Sequence, residues 1–268
     1  GVTTGEQTSS SVGVYIDDIY RSVSLGSALT LVDLDRVEVL RGPQGTLFGS
    51  STLGGLVNYV VKTADPTKLD AAAEGLIGST AHSGGDVNYA GKIMFNLPII
   101  KDRLAVRVMA LQRYDAGFID NVGLTPEKKG SNDFRTRGLR GSIVFTPFEG
   151  TKITYLGAYQ DTKLDDQTYI TYAKSYSRST GRVEPQTTSF LLNSLRLDQD
   201  LGNVATLTVL GAIDEKKNYT LFTDPYGYVT GTFTGPNVAY DYADANANIK
   251  TVEGRVASKD NGGPLNWL

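Results

Sequence analysis

The chain has no cysteine in its 268 residues, so disulfide frameworks, thiolate metal sites and cysteine nucleophiles are excluded from the outset. It has one histidine, His82, in a Ser/Gly/Asp-rich stretch that reads as a solvated turn rather than a metal site. With no cysteine, only one histidine and no Ser/His/Asp grouping, no residue set supports an enzyme. No apolar run reaches the length of a membrane-spanning helix; the longest, Leu53 to Val61, is interrupted by Gly54, Gly55 and Asn58. A chain of this kind crosses a membrane only as a β-barrel. An excess of charge of one sign is also missing. Twenty-six Lys and Arg face 29 Asp and Glu, well mixed, for a net charge of −3. That argues against a nucleic-acid partner, which would want a basic stripe.

What the chain does have is glycine and tyrosine, 30 and 15 residues, which favours strands and tight turns. The most informative stretch is Val37-Glu38-Val39-Leu40-Arg41-Gly42-Pro43-Gln44-Gly45-Thr46-Leu47-Phe48-Gly49. Val37, Val39 and Leu40 suit a half-buried strand. Gly42 gives backbone freedom and Pro43 fixes φ, so the chain turns there. Gly45, Gly49, Gly54 and Gly55 permit a compact loop, and Leu56 to Val61 form a second strand ended by Lys62-Thr63-Ala64-Asp65-Pro66. No Gly-Lys-Ser/Thr and no Gly-x-Gly-x-x-Gly follows, which argues against a phosphate cradle. Together with Val12-Gly13-Val14-Tyr15-Ile16-Asp17-Asp18 upstream and Gly54 to Thr63 downstream, this succession resembles the plug domain of TonB-dependent outer-membrane receptors, over roughly residues 11 to 63.

From about Leu69 the pattern becomes alternating segments of about ten residues joined by turns, the signature of an outer-membrane barrel. Tyr89, Gly91, Ile93, Phe95 and Leu97 share one face and Asn88, Lys92, Met94 and Asn96 the other. Leu104, Val106, Val108 and Ala110 oppose Arg103, Arg107 and Arg113. Similar splits follow around 139–145, 153–160, 189–197, 205–213 and 248–258. The period-two split predicts that Arg107, Arg113, Arg140, Lys152 and Arg255 point into a polar lumen, while Ile93, Phe95, Val106, Val108, Ile143 and Val209 face lipid. Connections near 98–102, 147–150, 200–203 and 259–264 are short, whereas those near 114–133, 161–187 and 215–245 are long and polar. A soluble β-sandwich has no reason to keep that alternation. The fold class is therefore mainly β. Residues 1–66 form the C-terminal portion of a small α+β plug, and residues 67–268 form antiparallel transmembrane hairpins, the N-terminal portion of an incomplete barrel. About eight complete strands are present against the 22 of plugged transporters. The start at Gly1 and the end at Trp267-Leu268 read as cut ends, with any signal peptide or TonB-box segment upstream.

The resemblance implies energy-coupled uptake of a scarce ligand across the outer membrane of a Gram-negative cell. Its partners would be outer-membrane lipid, a small molecule of the iron-chelate, cobalamin or glycan class, and a TonB complex reached through a segment missing from this chain. No enzyme activity, metal or cofactor is implied. The acidic pairs Asp17-Asp18 and Asp165-Asp166 read as solvated or structural, because adjacent strand residues point to opposite faces. Tyrosines crowd the long connections, and Tyr172, Tyr226 and Tyr228 are the candidate ligand contacts, with packing between loops as the plainer role. Arg41, at a strand end before the turn, is the candidate plug residue for pairing with a barrel carboxylate, Glu253 being the best placed; bonding to plug carbonyls is the alternative. The rival function is a small outer-membrane barrel acting as an adhesin or structural anchor, which the plug-like segment argues against.

Overall fold

The computed structural model describes residues 12–21, 33–43, 53–171, 175–224 and 239–259. They form two principal sheets. The first is four-stranded, built from β1 (Val12–Ile16), β2 (Ile19–Arg21), β3 (Leu34–Arg41) and β4 (Gly55–Val61) in the order β2-β1-β4-β3. β1 and β4 run parallel; the other pairs are antiparallel. Asp17 and Asp18, with φ of 49° and 68°, make the two-residue turn joining β1 to β2, so the pair lies in a turn and not along a strand. The Gly42 turn takes φ of 85°, as the Gly-Pro pair requires. Gly55 is fixed for another reason: a Cβ there would lie 2.4 Å from the Leu40 carbonyl oxygen. Among the described residues there is no helix, so the α component expected of the plug has no counterpart in them.

The second sheet holds eight strands in a meander: β5 (Asp70–Ser79), β6 (Val87–Ile100), β7 (Leu104–Asp115), β9 (Phe134–Phe145), β10 (Thr151–Leu164), β12 (Gln186–Leu201), β13 (Ala205–Asp224) and β14 (Ala239–Ser258). Every neighbouring pair is antiparallel. The short strands β8 (Asp120–Asn121) and β11 (Ser177–Arg178) pair with each other in the long connections. Residues 62–69 link the two sheets, and the eight-stranded sheet does not close on itself.

Burial follows the period-two expectation. In β7, Ala105, Arg107 and Met109 are buried while Val108 on the alternate face is 42% exposed. In β9, Ser142 and Val144 are buried and Ile143 and Phe145 exposed; Phe95 and Val209 are likewise exposed. The exposed set is the apolar face that the sequence pattern assigns to lipid. Val108, mid-strand, is a direct test. Val108→Arg is expected to destabilise the barrel by ~2–4 kcal/mol, against little change for Val108→Leu, read as the temperature at which gel mobility shifts.

The strands are longer than the sequence pattern indicates. The stretch 215–245 reads as a loop, yet β13 runs to Asp224 and β14 starts at Ala239, each 20 residues long. At about 3.3 Å per residue that is ~65 Å, far beyond the 9–11 residues a membrane strand needs. Strands of that length have ends that a bilayer crossing does not require. There no hydrophobic face is required, and Glu215, Lys216, Lys217 and Asn218 lose the alternation while keeping their backbone pairing to β12 and β14.

Candidate functional site

The four-stranded sheet sits against the inner face of the long strands, and the contact is made in three ways. The first is a charge clamp. Asp33, just before β3, accepts from Arg107 Nε at 2.9 Å and Arg107 Nη2 at 2.6 Å on β7. Arg140 Nη2 on β9 donates to the same carboxylate at 2.9 Å and to the Asp33 carbonyl at 2.8 Å. The three side chains are 13%, 7% and 11% exposed, so the pairing is charge-assisted and nearly dry. Burial alone would raise the Asp33 carboxyl; the two guanidiniums outweigh it and hold the group below its ordinary range.

Two more bridges lie along the plug. Arg196 on β12 meets Asp18 at 3.1 Å and is also tied to Asp198 at 3.0 Å. Arg21 on β2 lies 3.4 Å from Asp214 on β13, with its guanidinium 3.7 Å over the Phe190 ring. The second kind of contact is an apolar seam: Ile16, Ile19 and Val61 pack with Leu156, Phe190, Leu192, Leu210 and Ala212. The third is hydrogen bonding of the linking segment. Ala64 N–H donates to Ser142 Oγ at 2.9 Å, and Asn96 takes the Asp65 N–H at 2.8 Å while donating to the Asp65 and Lys68 carbonyls.

Inside the plug, buried Asn58 ties the β1–β2 turn to β3, donating to Asp18 Oδ1 at 2.9 Å and Glu38 Oε2 at 3.1 Å. Asp17 accepts from the Val61 N–H at 3.0 Å. Burial pushes its carboxyl up to about 6, against the pull of that N–H and of Arg140, with Asp18 adding to the rise and Arg196 opposing it. A carboxyl raised above its ordinary value of 3.8 binds its proton more tightly in the docked plug than in the unfolded chain. Its contribution to stability is present below the ordinary value and is lost as pH rises through about 4 to about 6, on the order of 3 kcal/mol. Asp17→Asn keeps the acceptor for Val61 and should flatten this dependence; thermal midpoints of both proteins across that window provide the check.

The outer connections form a second ordered cluster. Arg178 is fully buried and holds Asp166, at 2.8 Å, and Glu184, with Tyr169 Oη a further acceptor at 2.9 Å. Asn121 donates to Asp166 at 3.0 Å and Thr180 at 2.8 Å. Burial first, then the Glu184 carboxylate, raises the Tyr169 hydroxyl pKa. The Asp165-Asp166 pair is thus structural: Asp166 serves Arg178, while Asp165 binds Lys163 at 2.8 Å and lies beside Arg135. Exposed His82 stacks on Tyr176 with ring centres 4.1 Å apart.

The candidates from the sequence are distributed as follows. Tyr172, Tyr226 and Tyr228 lie outside the described residues. Arg41 is exposed at the end of β3 and forms no ion pair with a described residue. Glu253 takes Arg255, two residues on along the same strand face, at 2.6 Å. It does face the plug: it pairs in register with Leu210, which is buried in the apolar seam. The pairs that join plug to barrel, Asp33, Asp18 and Arg21 with their partners, were missed, as was the apolar seam. No described residues form a cluster of three or more metal-ligating side chains.

A small mixed sheet docked by ion pairs onto one face of an eight-stranded meander is the architecture of a plug set against barrel strands. Residues 1–56 match the family described as TonB-dependent Receptor Plug Domain, and the arrangement of a small sheet followed by barrel strands is similar in fold to solved outer-membrane receptors. The pesticin receptors of Yersinia enterocolitica and Yersinia pestis are 33% identical over 132 residues, 49% of this chain and 17% of theirs. The ferric yersiniabactin uptake receptor FyuA from Yersinia pestis superposes with a TM-score of 0.76 at 19% identity, over 96% of this chain and 38% of that one. The siderophore receptor PiuA from Acinetobacter baumannii gives 0.66 at 19% identity, over 95% and 36%. The chain thus spans well under half the length of these relatives.

Proposed function

We propose that the receptor to which this chain contributes takes up a scarce ligand across the Gram-negative outer membrane, a ferric siderophore in preference to a cobalamin or an oligosaccharide. The observation that carries this reading is the docking of a separate plug sheet on the barrel wall through ion pairs and a small apolar seam, a contact that can be parted and remade. Several of the similar solved structures are named as siderophore receptors, which favours the iron-chelate class. Residues 1–66 act as the plug and 67–268 as barrel, divided within the 62–69 connection. Ligand meets the outer loops and the plug apex first, with Tyr172, Tyr226 and Tyr228 as contacts, since rigid aromatics give contact area at low entropic cost. A TonB complex then moves the plug. No bond is made or broken in the ligand.

The test is uptake by the whole receptor in a strain stripped of its own iron-chelate receptors. TonB-dependent accumulation of radioiron from ferric yersiniabactin or ferric enterobactin is the expected result. Failure to accumulate either chelate, with the receptor present in the outer membrane, would refute the iron-chelate reading.

A further inference from the structure

Where β9 and β10 reach the long connections, their outward faces carry charge in a definite order. Leu139 stands opposite Tyr159, then Arg137 opposite Asp161, then Arg135 opposite Lys163. These side chains continue the face of Ile143 and Tyr155, because every second residue of a strand points the same way. Leu139 and Tyr159 end the apolar band. Tyr159 and Tyr89 on β6 are both exposed on this face, as in the aromatic girdle that rims a membrane barrel. The next two rungs hold three cations and one carboxylate. Arg135 and Arg137 are ~7 Å apart along the strand, and Lys163 is ~5 Å across from Arg135. Three cations so spaced can close on one phosphate group, whose oxygens accept several charge-assisted hydrogen bonds at once.

The neighbouring carboxylates hold these cations in place without covering them. Asp133 and Asp165 lie one step further out, joined by the Asp165 N–H to the Asp133 carbonyl at 2.9 Å. Their side chains are 8% and 14% exposed, against 46% for both Arg135 and Lys163. Arg135 reaches both acids through Nη2 alone, at 2.6 Å and 3.5 Å, which leaves Nε and Nη1 as donors for another acceptor. Tyr114 on β7, opposite Arg135 on the other side, has its ring centre 5.5 Å from the guanidinium. Lys163 spends one contact on Asp165, at 2.8 Å. Lys128 adds a fourth cation, 3.9 Å and 3.8 Å from the same two acids. Arg137 is exposed and forms no ion pair with a described residue, Asp161 included. An anion approaching from outside the barrel therefore meets cations first.

We propose that Arg135, Arg137 and Lys163 form a seat for the phosphate of a glycolipid headgroup, fixing one outer-leaflet lipid on the outside of the barrel. The proposal rests on the reading of these strands as membrane-crossing, with the long connections outside the cell. The lipid's acyl chains would lie along Leu139, Ile143 and Tyr155, and its phosphate one or two rungs beyond the girdle, where a basic cluster beside a bilayer recruits anionic headgroups. A lipid held there bridges β9 and β10, the strands that carry the two ordered outer connections.

The test uses the whole receptor, purified in a neutral detergent. It is titrated with lipid A carrying both phosphates and with dephosphorylated lipid A, and bound lipid is counted by native mass spectrometry. The phosphorylated form is expected to bind about tenfold more tightly or better, and Arg137→Gln to abolish most of that difference. This substitution leaves Asp133 and Asp165 with their cations, and an unchanged thermal midpoint confirms an intact fold. Lys217→Gln, on the same rung but three strands away, should keep the preference. Equal binding of the two forms by the parent would overturn the seat with no variant needed, and an undiminished preference in Arg137→Gln would overturn its assignment to these residues. Displacement of the lipid by inorganic phosphate at matching concentration would show a general anion site and refute the lipid. Binding of neither form would remove the membrane reading itself, an outcome distinct from the loss of phosphate preference alone.

Discussion

Asp33→Ala is expected to loosen the plug from β7 and β9. The substitution leaves two guanidiniums, Arg107 and Arg140, 7% and 11% exposed, with no carboxylate to offset their desolvation. Breaking a buried pair by removing one partner costs ~3–5 kcal/mol, and here one carboxylate serves two cations. Asp33→Asn, which keeps one acceptor oxygen, should lose less. Limited proteolysis of the plug in the folded receptor reads this directly: faster cleavage around residue 33 with the barrel strands still resistant is the expected pattern. Proteolysis indistinguishable from the parent would show that the seam alone holds the plug. The pH dependence runs opposite to that of Asp17. Asp33 is held below its ordinary value of 3.8, so its contribution is fully present above that value and is lost only as pH falls through the lower, docked-state value. Mild acid, which favours the plug through Asp17, leaves the Asp33 clamp charged.

These two aspartates also mark where sequence reading stops. The hairpins were legible because lipid imposes a strict period of two: Phe95, Val108 and Ile143 are where alternation puts them. The turn at Gly42-Pro43 was legible because only such residues fit a φ of 85° followed by a fixed φ. Asp33 carried no such signal. Its partners lie 74 and 107 residues away, and nothing local distinguishes it from any acid at a strand start. The same distance problem made Glu253 look available to Arg41, although Arg255, on the same face two positions along, is the nearer partner. The inner seam was missed because alternation was taken to mean a polar inner face throughout. Phe190-Leu191-Leu192 is apolar on both faces, and that unbroken run was the available sign that this part of the wall meets protein on the inside and lipid on the outside. The outer halves of β13 and β14 were missed for the converse reason: beyond the membrane neither face must be apolar, and backbone pairing leaves no mark in the sequence.

Arg178→Met should have the largest effect on the outer loops. Arg178, Asp166 and Glu184 are all fully buried, and the methionine would leave two carboxylates in a dry site with no cation, a loss of ~3–5 kcal/mol. The network reaches well beyond the triad. Asp166 also accepts the Glu184 N–H at 2.8 Å and the Asn121 side chain at 3.0 Å, and the Arg178 carbonyl takes the Val122 N–H at 2.9 Å. Breaking it therefore frees the connection between β7 and β9 as well as that between β10 and β12. Hydrogen exchange resolves the consequence, because local opening is reported amide by amide. Val122, Asp120 and Glu184 amides should exchange about a hundredfold faster or more, while those of β9 and β12 stay protected. The combined variant Arg178→Met, Asp166→Asn, Glu184→Gln separates charge from packing. Removing all three charges should recover much of the loss, since an apolar or neutral replacement of a buried ion set is often close to neutral. If the single and triple variants exchange alike, the loops are held by their backbone pairing and the buried arginine is not their fastening. If the single variant alone opens, the buried arginine fastens both connections before any ligand arrives, and chelate binding to the whole receptor should weaken in step with the loss of protection.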